Sequence, residues 1–180
     1  MRFVLHYRGP LRSNGDALHK AQIRAVFHAQ LAKLWAQDPL RFHASQLDLP
    51  SGQGKAPAPV SVAGINFVPL VSASLFTTAE LRVLMLRPGP PGDLLSNGGD
   101  IDNRLKTLFD ALSVPQANQV PKNFGFPDRV YCVLEDDRLV TSVEVRAEQL
   151  LEDAQPSEVD LTVSVRTRVS VATYGNTPFS

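Results

Sequence analysis

Apolar residues at Ile101, Leu105, Leu108 and Leu112 recur at helical spacing and form a narrow stripe that Phe109 widens on one side. The spacing predicts an amphipathic helix whose neighbouring face carries Asp102, Lys106 and Asp110 in a row at i, i+4 and i+8. A longer helix is predicted from about Asp16 to Gln37, after the turn residues Ser13-Asn14-Gly15 and with Leu31 and Trp35 on its apolar side. Strand-like segments run over Arg2 to Tyr7, Asn66 to Leu75, Glu80 to Arg87, Leu139 to Arg146 and Val159 to Thr173. This order predicts an α+β single domain over residues 1–180, a mixed sheet of about five strands packed by two main helices. Loop insertions are expected near 44–63, 88–99 and 113–130. The first is rich in Pro, Gly, Ser and Gln, the second contains Pro88-Gly89-Pro90-Pro91-Gly92, and the third holds Pro115, Pro121 and Pro127.

With 180 residues, 43% of them hydrophobic, the chain can bury one ordinary core. No apolar run reaches the length of a bilayer span, and Met1 to His6 turns polar too soon for a secretory signal. The single Cys132 excludes an internal disulfide framework and fits a reducing cytoplasm, so a cytoplasmic location and a buried, inert thiol are expected. His6, His19, His28 and His43 show no metal-ligand spacing and read as packing or surface residues.

The candidate chemistry is concentrated in Gly99-Asp100-Ile101-Asp102-Asn103, followed by Lys106 and Asp110. Carboxylates at i and i+2 on an extended approach to a helix project to the same side, where hard oxygen ligands can share a divalent cation. Glu135-Asp136-Asp137 is a third acidic source. A plainer reading competes: Asp100 or Asp102 caps the helix, and Asp102 with Lys106 is a surface ion pair.

The run Asp100-Ile101-Asp102-Asn103-x-x-Lys106-x-x-x-Asp110-Ala111-Leu112, with Asp136-Asp137-Arg138-Leu139-Val140 leading into a strand, resembles the RusA family of Holliday junction resolvases. The match covers about residues 99–112 and 134–146. The resemblance implies a RusA-like fold and a Mg²⁺-dependent endonuclease, with Mn²⁺ able to substitute, that resolves four-way DNA junctions by paired phosphodiester hydrolysis. It implies Asp100, Asp102 and Asp137 as metal ligands, Asp136 as the alternative third ligand, and Lys106 as the catalytic cation. Asn103 is expected to orient a ligand or water, and Asp110 to position Lys106 or the helix. The connection from Ser113 to Tyr131 is longer and richer in proline than the family pattern. Arg146 stands where relatives often have a lysine.

Charge pulls the other way, because Lys and Arg total 18 against 18 Asp and Glu, whereas junction-binding proteins usually carry a basic excess. Candidate DNA contacts are Arg8 and Arg12, then Lys20 and Arg24 in a helical row with His28, and Arg146; a solvated helix face explains the row equally well. A two-fold substrate implies a homodimer. Val71, Leu75, Val163 and Val165 suit either its interface or the core. The alternatives are a metal-dependent nuclease or phosphoesterase on other branched or single-stranded substrates, and a non-catalytic DNA-binding relative.

Overall fold

The computed structural model describes residues 1–44, 47, 59–89, 101–173 and 176–179. Strand β1 (Arg2–Pro10) leads into helix α1 (Ala17–Trp35) and the single-turn α2 (Arg41–Ala44). Strands β2 (Val60–Val62), β3 (Ile65–Val71) and β4 (Thr77–Arg87) precede helix α3 (Ile101–Leu112). Strands β5 (Arg129–Leu134), β6 (Val140–Gln149) and β7 (Glu158–Val169) follow.

The chain is α+β, but the seven strands among the described residues form two mixed sheets where the pattern predicts about five in one. The larger sheet has the order β1-β7-β4-β6, with β4 and β6 parallel and the other pairs antiparallel. The smaller has the order β2-β3-β5, with β3 and β5 parallel. Strand β5 escapes a search for alternation because Val130, Cys132, Val133 and Leu134 are all buried, as in a strand covered on both faces. Strand β2 has only three residues and turns into β3 through Ala63 and Gly64, both at positive φ, the geometry of a tight hairpin. Two of the expected loops are therefore shorter: 60–62 and 129–130 are strand, while 45–46, 48–58 and 90–100 lie outside the described residues.

Alternation on the larger sheet sends Leu5, Tyr7, Leu81, Val83, Met85 and Val163 into the core beneath α1 and α3. Burial of each such side chain contributes about 1.5–3 kcal/mol. Val71, Leu75, Val163 and Val165 belong to this core, which removes them from any interface. Helix α1 also closes the edge of β1: the Gln30 amide accepts from the His6 N–H at 2.9 Å and donates to the His6 carbonyl at 2.7 Å.

The row Lys20, Arg24, His28 is not a solvated face. It lines a polar seam where α1 meets α3 and β5. Lys20 pairs with Asp110 at 2.7 Å. Arg24, 1% exposed, donates to the carbonyls of Asp110 and Ser113 and so caps the last turn of α3. The His28 ring stacks on Tyr131, and its Nδ1 accepts from the Tyr131 N–H at 3.0 Å. At the other end of α3, the Arg104 guanidinium donates to the Leu11 carbonyl. The Thr107 hydroxyl accepts from the Gly15 N–H at 3.0 Å. A Cβ on Gly15 would stand 2.8 Å from the Thr107 methyl and 2.6 Å from the His19 ring, so only glycine permits this approach.

Two outcomes follow from the seam. Arg24→Met keeps the apolar volume but deletes the donors, and should cost about 2–3 kcal/mol in urea unfolding; an unchanged midpoint would refute the capping role. The second concerns pH. Burial lowers the pKa of His28, and burial followed by the charge of Arg12 lowers that of His19, whose Nε2 accepts from the Arg12 N–H. Because the folded chain favours the neutral rings, stability should be complete above the ordinary value of 6.5 and decline as pH falls from there through the lowered values. His28→Asn combined with His19→Gln, which keep acceptors but do not titrate, should flatten the dependence of the urea midpoint on pH over that acidic window.

Candidate functional site

Asp102 lies in the first turn of α3, exposed to solvent, and Lys106 is exposed one turn further on. The buried side of the helix is formed by Arg104, Thr107, Leu108, Ala111 and Leu112, with Ile101, Leu105 and Phe109 half-buried. The apolar stripe is thus rotated from its predicted centre, because Arg104 and Thr107 are drawn inward by their backbone partners. Lys106 makes no ion pair among the described residues. Asn103 is half-buried, and its carbonyl accepts from the Thr107 hydroxyl at 3.1 Å. Asp100 lies outside the described residues.

Of the two roles expected of Asp110, it has the second, holding α3 in place against α1, and not the positioning of Lys106. Its carboxylate is committed to Lys20, and its carbonyl to Arg24. Lys20 and Arg24 are likewise withdrawn from the set of DNA contacts, for the same reason: α1 turns this row toward α3 and not toward solvent. Arg8 pairs with Glu152, Arg146 pairs with Glu144 at 3.0 Å, and Arg12 is exposed. Cys132 is 2% exposed, and burial pushes its thiol up to about 12 against the opposing charge of Arg24, as befits an inert core residue.

The acidic triplet sits in the connection from β5 to β6. Glu135 accepts from the Ala73 N–H at 2.9 Å. Asp136 accepts from the main-chain N–H of Arg138 and takes its guanidinium at 2.9 and 3.0 Å, which holds this carboxyl down at about 2. Asp137 opens the 3₁₀ turn that follows and is exposed. With Glu135 and Asp136 tied to local partners, Asp137 is the most accessible of the three.

These two halves of the predicted site stand at opposite ends of the larger sheet. The first turns of α3 are anchored at Leu11, just past the end of β1, and the Arg87 charge at the end of β4 acts on Arg104. Asp137 precedes Val140, which pairs with Ala79 near the beginning of β4. From Ala79 to Arg87 the strand rises roughly 26 Å. Helix α3 starts near the far end of β6, the strand that follows Asp137, where the Leu150 N–H donates to the Arg87 carbonyl. Among the described residues no three His, Cys, Asp or Glu side chains converge as a metal site. Asp102 and Asp137 of one chain do not fit a common ion.

Sequence reasoning passed over the arginines of β1, β4 and β7: Arg2, Arg82, Arg166 and Arg168. Their signal was present as polar positions alternating with core residues, which places them with Arg146 on the outer face of the larger sheet. No helix among the described residues is long and apolar enough to cross a membrane. No protein-family model and no curated protein matches the chain.

Exposed and committed residues should separate by stability. Lys106→Ala should leave thermal unfolding within about 0.5 kcal/mol of the parent chain, whereas Lys20→Ala or Asp110→Ala should cost about 1–2 kcal/mol, because each strands a partly buried charge between α1 and α3. Equal effects from Lys106→Ala and Lys20→Ala, followed by differential scanning calorimetry, would contradict this division.

Proposed function

We propose that the chain is a RusA-like, Mg²⁺-dependent endonuclease that cuts four-way DNA junctions as a homodimer. The observation that carries this reading is the pairing of sequence and exposure on α3. Asp102 and Lys106, two polar members of the Asp-x-Asp-Asn-x-x-Lys run, face solvent one turn apart on a helix whose opposite side is bound to the core. Surface charges of a merely soluble helix need no such anchoring at both ends.

A bound divalent cation supplies charge neutralisation at the scissile phosphate and a water of lowered pKa. Within this reading Lys106 holds a fixed positive charge toward the phosphate as negative charge grows on it. Asp102, with Asp100, supplies the hard oxygen donors of one chain. In this reading the distance between the ends of the sheet favours a third carboxylate, that of Asp137, from a second copy, so that the dimer a two-fold junction favours would also complete the donor set. The free, buried Cys132 suits the reducing cytoplasm in which such an enzyme works.

Asp102→Asn and Asp137→Asn should each abolish junction cleavage as homodimers, and Lys106→Ala should slow it by at least about a hundredfold. Mixing the two Asp variants and allowing subunits to exchange discriminates the arrangement. A shared site leaves one intact pair of Asp102 and Asp137 in each mixed dimer, which should nick one strand of a labelled junction. A site within one chain leaves every mixture inactive. Wild-type cleavage by Asp102→Asn refutes the assignment altogether.

A further inference from the structure

The outer face of the larger sheet is divided by charge. Its half nearest the start of β4 carries Arg2, Arg82, Arg146, Arg166 and Arg168, with Glu80 and Glu144 as the acidic residues between them. The rest of the face carries Glu148, Glu158 and Asp160, with Arg8 opposite Asp160 as the basic residue among them. A chain with no net charge thus presents a face with a local excess of three positive charges.

The two carboxylates are each shared between two guanidiniums. Glu80 takes Arg168 at 2.8 Å and Arg166 at 3.5 Å, and Glu144 takes Arg82 at 3.1 Å and Arg146 at 3.0 Å. Sharing holds the arginines in place while leaving most of their N–H donors directed elsewhere. The hydrogen bond from Arg168, followed by the charges of Arg168, Arg166 and Arg2, lowers the Glu80 pKa.

Three adjoining hollows cross this half of the face. The first is bordered by Arg2, Arg166 and Arg168, the second by Arg2, Arg82 and Arg166, and the third by Arg82 and Arg146. Shared arginines make them one oblique groove, with Val4 and Ser164 in the middle hollow and Leu84 and Thr162 in the last. From the level of Arg168, which pairs with Thr78, to that of Arg146, which pairs with Leu84, the groove covers roughly 20 Å along β4, about the axial rise of six base pairs.

We infer that this arginine-lined groove is the surface that holds the phosphate backbone of a DNA arm. Charge complementarity selects a polyanion. The spacing of fixed guanidiniums along an extended track suits a backbone with regularly repeated phosphates, and the choice of DNA rests on the endonuclease reading. The groove reaches the sheet edge on β6 at Arg146, six residues beyond Val140, where the strand that follows Asp137 begins. Phosphate contacts of this kind position a substrate without reading its sequence.

The test is fluorescence anisotropy of a labelled four-way junction and a labelled duplex in EDTA, where binding is measured without cleavage. Arg82→Ala combined with Arg146→Ala should weaken both complexes at least about tenfold and reduce the slope of log K against log salt by about 2, one phosphate contact per arginine. Arg2→Ala combined with Arg166→Ala should act alike. Glu144→Gln, which releases two guanidiniums, should tighten binding. Unchanged affinity and salt slope in both double variants overturn the proposal, as does a loss of binding that accompanies a changed oligomeric mass in light scattering, since the groove is then an interface between copies. Mg²⁺-dependent junction cleavage with binding indifferent to these arginines overturns only this inference. Arginine-dependent binding without any cleavage overturns only the endonuclease reading.

Discussion

The Arg24 guanidinium, buried without a carboxylate of its own, organises the helical layer. Its donors meet the carbonyls of Asp110 and Ser113, where the last turn of α3 leaves acceptors unsatisfied. Burial lowers the pKa of this side chain, with the charge of Asp110 opposing the effect. The negative end of a helix dipole is a suitable partner for a cation that has lost its water. Because the same guanidinium grows from the middle of α1, the register between α1 and α3 is set at this point. The exposure of Asp102 and Lys106 on the opposite side of α3 is a consequence of that register.

A second constraint acts at the start of α3. Arg104 reaches the Leu11 carbonyl, and the Gly15 N–H reaches Thr107, so the loop between β1 and α1 is sewn to the helix that carries the candidate motif. Both contacts attach α3 to the end of β1. The polypeptide then needs β5 and the acidic triplet to travel to the other end of the sheet before β6 begins. The separation of Asp102 from Asp137 is therefore built into the topology and does not depend on side-chain choice.

Net neutrality loses its force as an argument once charges are placed. Charged residues alternate with core residues along β4 and β7, and the pairing register gives one stretch of the outer face a basic excess and the other an acidic excess. Long-range fields follow this local arrangement, because salt screens charges beyond about 8–10 Å.

Helices α1 and α3 were legible in the chain to within a few residues, since Asp16 does cap α1 by accepting from the His19 N–H, and the apolar period of α3 is strong. Five of the strands were legible, β6 and β7 from their alternation and β1, β3 and β4 as apolar segments bounded by turn or charged residues, and the buried thiol from the ordinary behaviour of a lone cysteine. The Asp-Asn-Lys run was legible as chemistry because residue type and spacing are local properties. Strand β5 was hidden, as burial on both faces erases alternation, and so was the division into two sheets, which depends on pairing between distant segments. The same limit misled the reading of Lys20 and Arg24: a charged row on a helix looks solvated until a second element covers it. Local periodicity and side-chain chemistry are written along the chain. Which faces meet, which charges are buried and which carboxylates share an end of the sheet arise from contacts between residues far apart in sequence, and these only the tertiary structure decides.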